Sequence, residues 1–210
     1  MTGEEFLDGV EAAAGLAVYG AAAVPGAATI RAQLIADSVP GLLVAKDPTL
    51  WGPATEPAAR IRLGWVDTFQ RSRELLPQLT ELQAELPDLD NVVLAGMGGS
   101  SLAAEVITRT LGRPMVVLDT TDPGQVREAM FGGAAPGSTE AVDLLRRTVV
   151  VVASKSGTTV ETDSHRRAYW QAFLDAGLTE AEAGRHFVIV TDPERSVAIG
   201  TIETAIWAAV

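Results

Sequence analysis

The spacing of apolar positions changes near residue 90. Before it, apolar residues recur at helical intervals: between Glu56 and Leu86, residues Ile61, Trp65, Phe69, Leu75, Leu76, Leu79, Leu82 and Leu86 fall near one stripe, and Pro77 divides that helix in two. Turns at Val39-Pro40-Gly41, Asp47-Pro48 and Trp51-Gly52-Pro53 break the earlier stretch into further helices. After residue 90 the apolar residues run continuously, at 91–96, 114–119, 148–153 and 187–191. Unbroken runs of this length predict strands covered on both faces, and the helical stretches between them predict right-handed crossovers. The chain therefore reads as α/β: a helical N-terminal segment over 1–88, then a parallel, doubly wound sheet domain over 89–210.

In such sheets ligands bind beyond the carboxyl ends of the strands. Two of the four ends carry chemistry. After the first run comes Gly96-Met97-Gly98-Gly99-Ser100-Ser101, leading into the helix-forming Leu102-Ala103-Ala104-Glu105-Val106. Glycines let the backbone approach a ligand, and the helix start supplies unpaired N–H groups and a positive dipole end. The alternative is that Ser100 only caps that helix. After the third run comes Ser154-Lys155-Ser156-Gly157-Thr158-Thr159, with four hydroxyls, one glycine and one lysine in six residues. That density suits a phosphate dianion, with Lys155 as the only nearby formal cation. The competing reading is a capping box, Thr158-x-x-Glu161, although it leaves Ser154, Lys155 and Ser156 unexplained. Gly96 and Gly98, with Asp119 at the end of the second run, also approach a dinucleotide fingerprint, but Ser101 stands at the third glycine position.

Composition narrows the field. The 210 residues hold 16 basic and 27 acidic side chains, a net charge of −11, which is the wrong sign for a nucleic-acid binder. There is no cysteine and there are two histidines, His165 and His186, so neither a thiolate nor a multi-histidine metal site is expected. The uncharged stretch between Glu11 and Arg31 approaches membrane-spanning length, but it is mostly Ala and Gly, contains Pro25 and follows acidic residues. It reads as a helix–turn–helix of a cytoplasmic protein.

GMGGSSLAAEV at 96–106 and SKSGTTVET at 154–162 resemble the two signature loops of the glucose-6-phosphate isomerase family, built on the sugar isomerase (SIS) domain. DPTLWGP at 47–53 and RLGWVDTFQRSRELLP at 62–77 resemble the helical lead-in of its actinobacterial-type members, some of which are fused behind a transaldolase. The resemblance implies that Gly98, Gly99 and Ser100 from the first loop, with Ser154, Lys155, Ser156, Thr158 and Thr159 from the second, hold a sugar phosphate, Gly157 making the turn. Ser156 and Gly157 depart from the threonine and phenylalanine common in the family, which bears on sugar specificity more than on phosphate binding.

The family carries a second SIS domain and a C-terminal segment, and with them its proton-shuttling glutamate and ring-opening histidine and lysine. No residue of this chain matches those groups, so no catalytic residue is assigned here. Glu161 is a conceivable carboxylate but reads first as the last partner of a capping box, while His165 and His186 read as surface or structural residues. The resemblance implies no cofactor and no metal. It implies a phosphosugar ligand, and as partner either a second copy of the chain or the missing C-terminal half. Three classes stay open: the phosphate-binding portion of an isomerase acting on glucose 6-phosphate and fructose 6-phosphate in glycolysis and gluconeogenesis, a non-catalytic phosphosugar-binding module, and a truncated product without activity. The dinucleotide reading ranks below them.

Overall fold

The structure, a computed structural model, describes residues 25–86, 88–113, 115–191 and 205–206. Most of the uncharged stretch before Arg31 therefore lies outside the described residues, as do Asp192 and residues 207–210. The chain divides into two compact units, Met1–Asp67 and Thr68–Val210.

In the first unit, α1 (Ala27–Ala36) and α2 (Val39–Val44) precede a 3-10 turn (Pro48–Trp51), α3 (Glu56–Arg62) and a second 3-10 turn (Leu63–Asp67). Val39-Pro40-Gly41, expected as a break, instead opens α2, because proline is tolerated where the helix has no N–H bond to lose. The break falls one residue earlier, at Ser38, with φ of 56°. Asp47 caps the start of the first 3-10 turn by accepting from the backbone N–H and hydroxyl of Thr49, at 2.8 and 2.6 Å. A 2.5 Å ion pair joins Lys46 to Asp67.

The second unit begins with α4 (Thr68–Glu74) and α5 (Leu76–Glu85). These helices, read from the sequence with the N-terminal segment, fall in the unit that holds the sheet. Pro77 sits in the first turn of α5, and the stripe over 56–86 is also interrupted at Leu63–Asp67. Strands β1 (Asn91–Gly96), β2 (Val116–Leu118), β3 (Thr148–Ala153), β4 (Phe187–Val190) and the two-residue β5 (Ala205–Ile206) form one sheet in the order β2-β1-β3-β4-β5, with every pairing parallel. Interleaved with them are α6 (Gly99–Thr110), α7 (Pro123–Phe131), α8 (Thr139–Arg146), α9 (Val160–Asp175) and α10 (Glu180–Gly184). The four expected runs are the four longer strands; the second is trimmed to three residues.

Valine-rich strands carry helices because both faces are apolar. Val93, Val150, Val152, Phe187 and Ile189 pack with Met130, Leu145, Tyr169 and Phe173 from the helices. Phe173 meets the edge of Phe187 at 5.5 Å between ring centroids and lies 4.6 Å from the His186 ring. The central pair β1–β3 is pinned at its start. Asn91 donates to the Thr148 hydroxyl at 2.8 Å, and Asp90 and Arg147, one residue earlier, form an ion pair at 2.6 Å. From Asn91↔Thr148 the register runs unbroken to Gly96↔Ala153.

A candidate anion site between two strand ends

The strand order fixes where a crevice can open. β1 lies between β2 and β3, so the chain leaves β1 toward one edge and returns past it to continue toward the other. In this 2-1-3-4-5 order the direction of winding reverses between β1 and β3, and ligands sit at the carboxyl ends flanking such a point. Both candidate loops start there, level with one another, on the residues that follow the Gly96↔Ala153 pair. Dinucleotide folds of the 3-2-1-4-5-6 type place β1 between β2 and β4, an order this sheet does not have. Asp119 is exposed just past β2.

In the first loop, a Cβ on Gly96 would stand 3.2 Å from both the Cβ and the carbonyl oxygen of Ser100, and 3.3 Å from the Ala153 carbonyl. Glycine is what lets the two loops approach this closely. Gly98, with φ of 55° and ψ of −119°, turns the chain into α6. Gly98 and Gly99 are exposed with open space where a side chain would stand, and Ser100 is half-buried. Ser100 does not cap α6. The N-cap is Gly98, no side chain caps it, and Ser101, fully buried, donates its hydroxyl to the Gly98 carbonyl at 3.1 Å.

The second loop is a web of hydroxyls. Ser154, buried, donates to Thr159 Oγ1 at 3.0 Å, and the Thr158 N–H and hydroxyl both reach Ser156 Oγ, at 3.2 and 3.1 Å. Gly157, with φ of 67°, closes the turn by donating to the Ser154 carbonyl at 3.1 Å. Lys155, Ser156 and Thr158 are exposed, while Gly157 and Thr159 are half-buried. The capping box of the competing reading, Thr158-x-x-Glu161, is not formed. Thr158 spends its hydroxyl inside the loop, α9 begins one residue later at an N-cap of Thr159, and no side chain caps that end. A capping box does form elsewhere, between Thr179 and Glu182 at the start of α10.

Uncapped starts are not peculiar to the candidate loops, since α1, α2, α3 and α5 also lack a side-chain cap, but the five helices that follow β1 fall into two kinds. Asp122 caps α7, Ser138 caps α8 and Thr179 caps α10, each accepting from a backbone N–H. The two helices that start at the candidate loops, α6 and α9, have no side-chain cap. Their first amides have no intrahelical acceptor and point out of the helix at its positive end, which suits an anion.

Beneath the second loop lies a group that the sequence reading missed. Arg166 is 9% exposed and lines the same small cleft as Ser154, Gly157, Thr159, Thr162 and Asp163. Its Nε and Nη2 donate to one Asp163 oxygen at 2.9 and 2.8 Å, and Arg167 Nε donates to the other at 2.7 Å. Burial pushes the Asp163 carboxyl up, but the hydrogen bonds and charges of the two arginines outweigh it and hold it below the usual carboxylate value. Lys155 is thus not the sole cation near the loop. The signal was present in the sequence: counted from Thr159, residues 162, 163 and 166 recur at helical spacing on one face.

The histidines are structural and neither is on the surface. His165, 2% exposed, donates from Nε2 to the Thr120 carbonyl at 2.7 Å, tying the segment after β2 to α9. His186 donates from Nδ1 to the Thr148 carbonyl at 2.6 Å. Glu161 is half-buried in the first turn of α9. Among the described residues no cluster of three or more His, Asp or Glu side chains could hold a metal ion, and no helix is long and apolar enough to cross a membrane.

No family model matches the sequence. A probable glucose-6-phosphate isomerase of Haloarcula marismortui is 33% identical over 114 residues, 53% of this chain and 23% of that protein. The glucose-6-phosphate isomerase of Citrifermentans bemidjiense is 37% identical over 107 residues, 48% of this chain and 18% of that protein. The matched stretch thus spans about a fifth of these curated relatives. Among solved structures, a Thermus thermophilus protein described as hypothetical superposes with a TM-score of 0.61 at 25% identity, covering 89% of this chain and 42% of its own. A glucose-6-phosphate isomerase from Chlamydia trachomatis gives 0.50 at 25% identity, over 66% of this chain and 26% of its own. In sequence over half its length and in fold over two thirds of it, the chain is similar to glucose-6-phosphate isomerases.

Proposed function

We propose that this chain holds a hexose 6-phosphate by its phosphate group, as the phosphate-binding portion of a cytoplasmic glucose-6-phosphate isomerase of the SIS type. The observation that carries the reading is the pair of uncapped helix starts, α6 and α9, opening side by side at the point where the winding of the sheet reverses. Gly98, Gly99 and Ser100 offer backbone and hydroxyl donors from one side. Ser154, Lys155, Ser156, Gly157, Thr158 and Thr159 offer hydroxyls, amides and one exposed positive charge from the other. The lead-in motifs at 47–53 and 62–77 favour an isomerase of the actinobacterial type.

Holding the phosphate positions the sugar and supplies binding energy remote from the reacting carbons, but it moves no proton. Aldose–ketose exchange through an enediol needs a carboxylate at the C2 hydrogen. Of the two acids in the first turn of α9, Asp163 is committed to Arg166 and Arg167, and Glu161 sits at the phosphate end of the sugar. The reading therefore assigns proton transfer to the rest of an isomerase, supplied as further sequence or as a partner chain.

Calorimetric titration with glucose 6-phosphate, inorganic phosphate and NAD tests it. Both phosphates are expected to bind and NAD is not. Lys155→Ala is expected to weaken phosphate binding about tenfold, the worth of one charge-assisted hydrogen bond. Parent and variant binding equally would remove Lys155 from the site. Turnover of glucose 6-phosphate by the 210-residue chain, abolished by Glu161→Gln, would place the base here after all.

A further inference from the structure

The N-terminus of α9 carries a contradiction for an anion site. Its first turn holds two carboxylates, Glu161 and Asp163. Acids there complement the helix dipole, yet each opposes a phosphate seated on the same amides. Asp163 is enclosed by two arginines, Arg166 and Arg167.

We infer that Arg166 is a positioning residue for the phosphate site: it neutralises Asp163 from inside the fold, so that the amide end of α9 presents net positive potential to the ligand. The inference rests on the phosphate-binding reading above and deepens it. Three observations carry it. The guanidinium is buried and binds one Asp163 oxygen through two nitrogens, a geometry that fixes the charge in place where an exposed pair would fluctuate. The pair lines the cleft directly under Ser154, Gly157 and Thr159, so it lies against the inner side of the phosphate loop rather than elsewhere on α9. Finally, Thr162, 1% exposed and lining the same cleft, has a hydroxyl with no hydrogen-bond partner. The cleft has room for about one water molecule, so the phosphate itself stays outside and Arg166 acts through the loop. Arg167, largely exposed, covers the other Asp163 oxygen and is the weaker contributor because solvent screens it.

A purely structural role predicts that breaking the pair from either side weakens binding. Charge compensation predicts opposite signs, and this separates the two. Binding of inorganic phosphate at about pH 8 is measured by calorimetry for the parent, Arg166→Gln, Arg166→Lys, Asp163→Asn and the double variant Asp163→Asn/Arg166→Gln, with thermal melts to confirm folding. Arg166→Gln is expected to weaken binding about three- to tenfold and Arg166→Lys less. Asp163→Asn is expected to bind at least as tightly as the parent, and the double variant to recover most of the loss. Should Arg166→Gln fail to fold, Asp163→Asn and Arg166→Lys still decide. Weaker binding by Asp163→Asn, or a double variant no better than Arg166→Gln, overturns the inference and leaves the phosphate site intact. A parent that binds no phosphate overturns the site itself, and this inference with it.

Discussion

A histidine kept neutral inside a fold makes that fold sensitive to mild acid. Burial lowers the affinity of His186 for a second proton, the hydrogen bond to the Thr148 carbonyl works the other way, and the net shift is downward from 6.5. The unfolded chain takes up that proton near the ordinary histidine value, while the folded chain resists it until lower pH. Stability contributed by the neutral ring is therefore complete above about pH 7 and falls as the pH drops through the unfolded value. The melting temperature is expected to decline between about pH 7 and pH 5.5, ahead of any carboxylate titration. In His186→Asn, an amide N–H can replace the Nδ1–H, so the plateau falls but the slope over this range flattens. Identical slopes in parent and variant would show that some other group sets the acid sensitivity.

Elements meet at the site through their ends, and Gly96 is the tightest joint. An added Cβ would press on the Ser100 and Ala153 carbonyl oxygens, backbone atoms that cannot swing aside without unwinding α6 or parting β1 from β3. Gly96→Ala is expected to cost about 1–3 kcal/mol in urea unfolding and to weaken phosphate binding as well, because both loops are displaced. A variant that loses neither would mean the loops are not held at this spacing. The strands, helices and both loops were legible in the sequence because continuous apolar runs and glycine–hydroxyl clusters are local signals. Caps were less so. The pattern Thr-x-x-Glu occurs at Thr158–Glu161 and at Thr179–Glu182, and only the second makes the box. What decides between them is the hydroxyl of Ser156, which takes Thr158 into the loop before the helix can use it. Arg166 was legible only in part: helical spacing puts it on one face with Thr159, Thr162 and Asp163, but the cleft that it lines with residues of β3 and β4 forms only in the fold.

At the scale of the molecule, ligand and fold are linked. A phosphate that binds only the folded sheet unit stabilises it by about 2.7 kcal/mol at a hundred times its dissociation constant. A thermal scan with increasing inorganic phosphate is expected to raise the sheet unit's transition by several degrees, and Lys155→Ala to shift that response to higher concentration. A transition indifferent to phosphate would argue that nothing in the fold recognises it. The pinned start of the β1–β3 pair has a further consequence. Asn91 and Thr148 lock together five residues upstream of Gly96 and Ala153, at a rise of about 3.3 Å per residue. A slip of one residue there would reverse which strand side chains face each layer and carry one loop a full residue past the other. The Asn91–Thr148 hydrogen bond and the Asp90–Arg147 ion pair thus stand at the zero mark of a ruler: they add to the β1–β3 ladder, whose register brings the two loops level at the opposite end of the sheet.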